Sequence, residues 1–195
     1  MPKLYIISGC NGSGKTTASY TLLPDLLNCR EFVNSDEFAK SLSPFDPGAA
    51  SVTASRYMLM KINYLLDRRA DFAVETTLAT RSLLQIVLQA KKLGYETTVL
   101  YFWLNSPELA IERVRDRVSS GGHNIPDAVV RRRYVMGLQY LFDTYIPVMD
   151  RWVLADNSKP PFSVVAEGAD GVTYIKDNEK YHLIWSIAHP EDESV

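Results

Sequence analysis

Short apolar runs alternate along this chain with longer stretches of helical spacing. Residues 4–8 form an apolar run that stops at Gly9, as a buried parallel strand does. Residues 16–27 read as a helix despite Pro24, and 31–34 as a weaker strand followed by Ser35-Asp36-Glu37. Between 49 and 69, Val52, Leu59, Ile62 and Leu66 fall at roughly helical spacing. Residues 72–75 form a short strand, and 81–93 a helix with Gly94 as its C-cap. Residues 97–104 are β-branched and aromatic, which predicts a central strand. Ser106-Pro107-Glu108 opens a helix to about Val118: Ser106 caps, Pro107 fits the first turn, and Glu108 complements the helix dipole. A longer helix is predicted over 126–148, a strand over 152–155, and a hairpin over 164–175 turning at Asp170-Gly171. Residues 181–188 are a last helix or strand, and the acidic 191–195 a frayed end.

Strands alternating with helices predict an α/β, three-layer fold, a mostly parallel sheet with helices on both faces. In such sheets ligands sit at the carboxyl ends of the strands. No repeat, low-complexity tract or Gly/Ser linker interrupts the chain, so one domain over 1–195 is expected.

Composition narrows the partners. With 195 residues, 46% of them hydrophobic, the chain buries a sizeable core without disulfide or metal staples. Its two cysteines, Cys10 and Cys29, lack metal-ligand spacing and are too few for a disulfide framework. A net charge of −2 and a pI near 5.9 lack the footprint of a generic nucleic-acid or anionic-membrane binder. The longest apolar run, 99–104, falls far short of the ~20 residues of a membrane span. A soluble, cytoplasmic protein is expected, with no nucleic-acid or membrane partner.

Gly9-Cys10-Asn11-Gly12-Ser13-Gly14-Lys15-Thr16 fits G-x-x-x-x-G-K-[ST], between an apolar strand and a helix. Successive backbone N–H groups in such a P-loop form an anion-binding concavity, and the following helix adds its positive end. Lys15 would reach the β/γ-phosphates and the Thr16 hydroxyl would ligate Mg²⁺. Gly9, Asn11, Gly12, Ser13, Gly14, Lys15, Thr16 and the adjoining Thr17 are therefore the candidate ATP-binding set.

The rest of the chain selects among P-loop chemistries. No N-K-x-D-type guanine motif occurs. Ser119-Ser120-Gly121-Gly122-His123 superficially resembles an ABC-type ATPase signature. Val129-Val130-Arg131-Arg132-Arg133-Tyr134 follows it, not an apolar strand ending in Asp-Glu. A small-molecule kinase fits better, since it needs a base near the acceptor hydroxyl and cations over the transferring phosphoryl. Asp36, just after the second strand, is the candidate base, although Ser35 or Asp36 could instead cap a helix. Glu75, ending the third strand, could hold Mg²⁺ through water or bind acceptor hydroxyls, and Thr77 could donate a hydrogen bond beside it.

Arginine is unevenly distributed. Of 12 in the chain, Arg113, Arg115, Arg117, Arg131, Arg132 and Arg133 lie within 21 residues, opposed there only by Asp116 and Asp127, a local balance of +4. Two cationic helical arms joined through Gly121-Gly122 read as a lid, about 113–133, that closes over a triphosphate. His123 reads as a surface histidine.

The ordered set I-S-G-C-N-G-S-G-K-T-T, V-N-S-D-E, E-T-T-L, E-R-V-R-D-R-V, G-G-H-N-I-P, R-R-R-Y and A-D-N-S resembles the zeta-toxin-like P-loop kinases over about residues 4–158. It is most similar to their short branch, often described as predicted ABC-type ATPases. The resemblance implies phosphorylation of a hydroxyl of UDP-N-acetylglucosamine with ATP and Mg²⁺. It further implies that Lys15 and Thr16 hold ATP·Mg²⁺, that Asp36 is the general base, and that Glu75 and Thr77 bind the sugar nucleotide. Arg117 and one of Arg131 or Arg133 would clamp the phosphates. A separate small antitoxin is the implied protein partner. One departure stands out: the larger toxins carry an Arg soon after Glu-x-Thr, where this chain has Ala79 and, nearest, Arg81.

Overall fold

The computed structural model describes residues 1–119 and 124–190. The Gly121-Gly122 lid joint, His123 and the acidic end 191–195 lie outside them.

Seven strands form one sheet: β1 (Lys3–Ser8), β2 (Glu31–Val33), β3 (Phe72–Thr76), β4 (Glu96–Trp103), β5 (Arg151–Asp156), β6 (Ser163–Ala169) and β7 (Val172–Ile175). Their order is β2-β3-β1-β4-β5-β6-β7. The first five run parallel, with Ile6 opposite Val74 on one side and Val99 on the other. The last two add the expected antiparallel hairpin, turning at Asp170 and Gly171, both with positive φ.

Alternation along β1 divides the core. Leu4 and Ile6 face α3 (Ser51–Asp67), α4 (Leu84–Lys92), α5 (Pro107–Ser119), α6 (Asp127–Tyr140) and α7 (Asn178–Ala188). Tyr5 and Ile7 face Leu22 and Leu23, just after α1 (Lys15–Thr21). Both faces are covered, but unequally. Along β4, Val99, Tyr101 and Trp103 join the first cluster and Phe102 the second.

The structure revises several boundaries. The helix over 16–27 is α1 continued by a π-helical turn, Leu22–Leu26. That wider turn contains Pro24, whose missing N–H cannot serve an α-helical ladder. The helix over 126–148 likewise divides into α6, a π turn (Leu141–Tyr145) and a 3-10 turn (Ile146–Val148) that contains Pro147. Residues 35–42 form α2 (Ser35–Leu42). In α3 the buried face is Ala54, Ile62, Leu65 and Leu66, whereas Val52 and Leu59 are exposed. Ser106 does cap α5, its Oγ accepting the Leu109 N–H at 3.1 Å. Residues 178–188 are helical, with Asp177 as the cap.

Where α6 crosses the sheet, a Cβ on Gly137 would meet the Tyr101 hydroxyl at 2.7 Å and the Thr77 carbonyl oxygen at 2.9 Å. Only glycine lets α6 approach this closely, and that approach brings Arg133, one turn earlier, over the P-loop.

Candidate active site

The carboxyl ends of β1, β2, β3 and β5 open onto one cleft of about 950 Å³. The chain leaves β1 with β3 on one side and β4 on the other, the switch point at which such sheets bind ligands.

The P-loop forms its floor. Asn11, Gly12, Gly14, Lys15, Thr16 and Thr17 line the cleft. Gly9 and Ser13 lie behind it and shape the loop: a Cβ on Gly9 would sit 2.3 Å from the Phe102 carbonyl oxygen. Gly14 takes φ +84 and leads directly into α1. The Lys15 ammonium is buried and donates to the Cys10 carbonyl at 2.8 Å. Burial pushes its pKa down, against the opposing pull of Glu75, Cys10 and Asp36.

Thr16 Oγ1 lies 3.0 and 2.9 Å from the two oxygens of Glu75. A hydroxyl beside a carboxylate is a hard-oxygen donor pair, the kind Mg²⁺ takes together with water and phosphate oxygens. Burial pushes the Glu75 carboxyl above its ordinary range, against Lys15 and the Thr16 hydrogen bond. A proton is therefore bound more tightly in the folded chain than in the unfolded one. The stability Glu75 contributes is present below its ordinary pKa of ~4.3 and is lost as pH rises through the raised value. Removing the titration by Glu75→Gln is expected to make the variant's Tm, relative to the parent's, climb as pH rises from about 4 to 7. Thermal unfolding without nucleotide or Mg²⁺ checks this, and a pH-independent difference would contradict it.

Asp36 enters the cleft from α2. Asn34, not Ser35 or Asp36, caps that helix, its Oδ1 accepting the N–H groups of Asp36 at 2.8 Å and Glu37 at 3.4 Å. The side chains of Ser35 and Asp36 are thereby left to the cleft, which both line. Thr77 also lines it. The turn that presents Thr77 passes through Leu78, buried at φ 57, with its N–H on Thr76 Oγ1 at 3.0 Å. A leucine there is strained backbone, held by its burial.

A second chamber of about 450 Å³ adjoins the cleft between α2, α3 and the start of α6. Asp36, Arg117 and Arg133 line both spaces, and Lys40 lines only the second.

The six clustered arginines divide by partner. Arg117 and Arg133 reach the cleft, with Arg133 Nη1 donating to Asn11 Oδ1 at 2.9 Å. Arg113 also lines it, but its guanidinium is held by the carbonyl oxygens of Asn157 and Ser158. Arg115 pairs with Asp127, and Arg131 with Glu108, on the outer side of α5 and α6. Arg132 is exposed. The α6 turn that brings Arg133 to the P-loop carries Arg131, the other expected phosphate clamp, to the outer side, so the structure does not bring it together with the P-loop residues. The arms of the expected lid are also anchored, with Ile111, Val114, Val130 and Tyr134 in the core. Arg81 does not replace the missing arginine after Glu-x-Thr, because it lies over the Tyr140 ring, 5.6 Å from its centre.

Asn157 was not singled out by the sequence reading. It lines the cleft and donates to the Ser13 carbonyl. A lone amide after a strand has no periodicity to mark it, and only its place in A-D-N-S drew notice.

The sequence model of the zeta toxin family matches residues 1–144. This chain belongs to the zeta toxin family. A family relative in Haemophilus influenzae, an uncharacterised protein, is 30% identical over 132 residues, covering 68% of this chain and 92% of that one. Among solved structures, AvrRxo1-ORF1:-ORF2 determined with ATP superposes with a TM-score of 0.76 at 19% identity, over 100% of this chain and 66% of that one. This chain thus spans slightly under two-thirds of the AvrRxo1 chain. A structure from the PezAT chromosomal toxin-antitoxin system of Streptococcus pneumoniae superposes with a TM-score of 0.65 at 15% identity, over 97% and 87%. These likenesses establish the P-loop kinase-like fold of the zeta toxin family for this chain. Among the described residues no helix is long and apolar enough to cross a membrane.

Proposed function

We propose that this protein is an ATP-dependent small-molecule kinase that transfers the γ-phosphoryl group of ATP to an acceptor hydroxyl, with a sugar nucleotide such as UDP-N-acetylglucosamine as the favoured acceptor. One observation carries the reading. Asp36, Arg117 and Arg133 face both the P-loop cleft and the adjoining chamber, so a carboxyl group and two guanidinium groups stand where the two spaces meet.

In this reading the P-loop N–H groups and Lys15 bind the triphosphate. Thr16 and Glu75 hold Mg²⁺, which offsets phosphate charge when bound. The acceptor occupies the second chamber and reaches into the cleft, where Glu75 and Thr77 at the end of β3 would meet it. Asp36 takes the proton of the acceptor hydroxyl as its oxygen bonds to the γ-phosphorus. The bond from that phosphorus to the β–γ bridging oxygen breaks, and ADP leaves. Arg117 and Arg133 stabilise the charge spread over the transferring group.

The sugar-nucleotide assignment draws on the family and on charge. With Arg81 over the Tyr140 ring, Lys40 is, among the described residues, the cation lining the second chamber that phosphoryl transfer leaves to an acceptor's own phosphates. A separate small antitoxin is the proposed protein partner.

The test is incubation with ATP, Mg²⁺ and UDP-N-acetylglucosamine, followed by mass spectrometry, beside Asp36→Asn. A product heavier by one phosphate, absent with the variant, is expected. No such product, but label from γ-labelled ATP on another small molecule in cell extract, would replace the acceptor and keep the kinase. Tight ATP binding with slow phosphate release and no labelled acceptor would overturn the kinase reading in favour of a nucleotide-dependent switch.

A further inference from the structure

The loop leaving β5 is held from several directions. The Asn157 N–H donates to the Trp103 carbonyl at 2.9 Å. Arg113 forks to the carbonyl oxygens of Asn157 at 3.0 Å and Ser158 at 2.8 Å. The Ser158 hydroxyl accepts the Asn105 N–H at 2.8 Å and donates to Asp156. Asp156 is in turn paired with Lys180 of α7 at 3.0 Å. From this fixed platform one side chain reaches the P-loop: Asn157 Nδ2 donates to the Ser13 carbonyl oxygen at 2.7 Å.

That contact acts on a particular peptide plane. In a trans peptide the C=O and the following N–H point in opposite directions. Holding Ser13 O at Asn157 therefore fixes the direction of the Gly14 N–H, one of the donors a phosphate cradle depends on. Gly14 fits this partner twice over. It adopts φ +84, and a Cβ on it would sit 2.5 Å from Asn157 Nδ2.

We propose that Asn157 is a positioning residue of the nucleotide site, locking the Ser13–Gly14 peptide in its phosphate-binding orientation, and that Arg113 and the Lys180–Asp156 pair hold Asn157 in place. The proposal rests on the nucleotide-binding reading above. It gives Arg113 the part of a support, and it makes the segment beyond residue 144, where the family match ends, part of the nucleotide site.

The test needs no acceptor. A fluorescent ADP analogue is titrated into the parent protein, Asn157→Ala and Lys180→Met, with thermal unfolding and the Gly14 amide resonance recorded without ligand. Asn157→Ala removes one hydrogen bond, and its binding is expected to weaken about tenfold, at the upper end of what such a bond contributes. The Gly14 resonance should move while Tm changes little. Lys180→Met, whose side chain does not line the cleft, is expected to weaken binding by about threefold through the loosened platform. Parent-like binding by Asn157→Ala overturns the proposal. So does a weakening matched by a collapse in Tm and resonance shifts across the whole fold, which would mark a general structural role. Failure of the parent protein to bind the analogue would instead overturn the nucleotide reading beneath it.

Discussion

Arg133→Ala is expected to slow phosphoryl transfer on the order of 10³-fold, the lower range for a lost arginine finger. Arg131→Ala, two positions away, should leave it within about twofold, as for an exposed ion pair. The contrast follows from helix geometry: two residues are just over half a turn, so the two arginines leave α6 on opposite sides. Arg133 is half-buried between the P-loop and the second chamber, with its guanidinium on Asn11. A cation held in place beside low-dielectric protein stabilises developing charge more than the same cation free in solvent does. Arg131 lies on the outer face, where its partner is Glu108. Steady-state kinetics of both variants checks the pair. A large loss in Arg131→Ala with little in Arg133→Ala would mean that α6 turns on its axis when substrates bind.

Asp36→Asn is the second large effect, with transfer expected to fall about 10²- to 10⁴-fold, the range for a lost general base. The amide keeps the shape of the carboxyl but cannot take the acceptor's proton. The fold should be unaffected, because the cap of α2 is Asn34 and it stays in place. Nucleotide affinity should also hold, since the triphosphate rests on the P-loop. Single-turnover transfer from γ-labelled ATP, beside a binding titration, separates the two properties. Unchanged transfer would remove Asp36 as the base, and lost nucleotide binding would make it part of the ATP site instead.

Much of the fold was legible because its signals are local. Short apolar runs marked the strands, the first stopping at Gly9, Ser106-Pro107-Glu108 marked the start of α5, and Asp170-Gly171 marked the hairpin turn. The mostly parallel sheet followed from alternation, though not the order of its strands. Other features depend on what the chain meets elsewhere. Apolar residues on α3 fall on both faces, so spacing alone could not say that Ala54 and Leu65 face inward while Val52 and Leu59 face out. A charge count over 113–133 omitted Glu108, which lies just before the span and takes Arg131. The alternative that Ser35 or Asp36 caps α2 falls away, since Asn34 at the strand's end does so. The lid was read from the arginines and the glycines, but the burial of Val114 and Tyr134 is set by the sheet beneath them.

The sheet order has a consequence for how far the family match can be taken as a unit of folding. That match stops at residue 144, whereas the partner of β4 on its far side is β5, which begins at Arg151. A chain ending with the match would leave the backbone of β4 unpaired along one side, beside the large side chains of Tyr101, Phe102 and Trp103. An exposed apolar strand edge is a template for self-association. The family signature and the folded sheet therefore have different ends: the first can be recognised without the last quarter of the chain, and the second needs it to pair the far edge of β4.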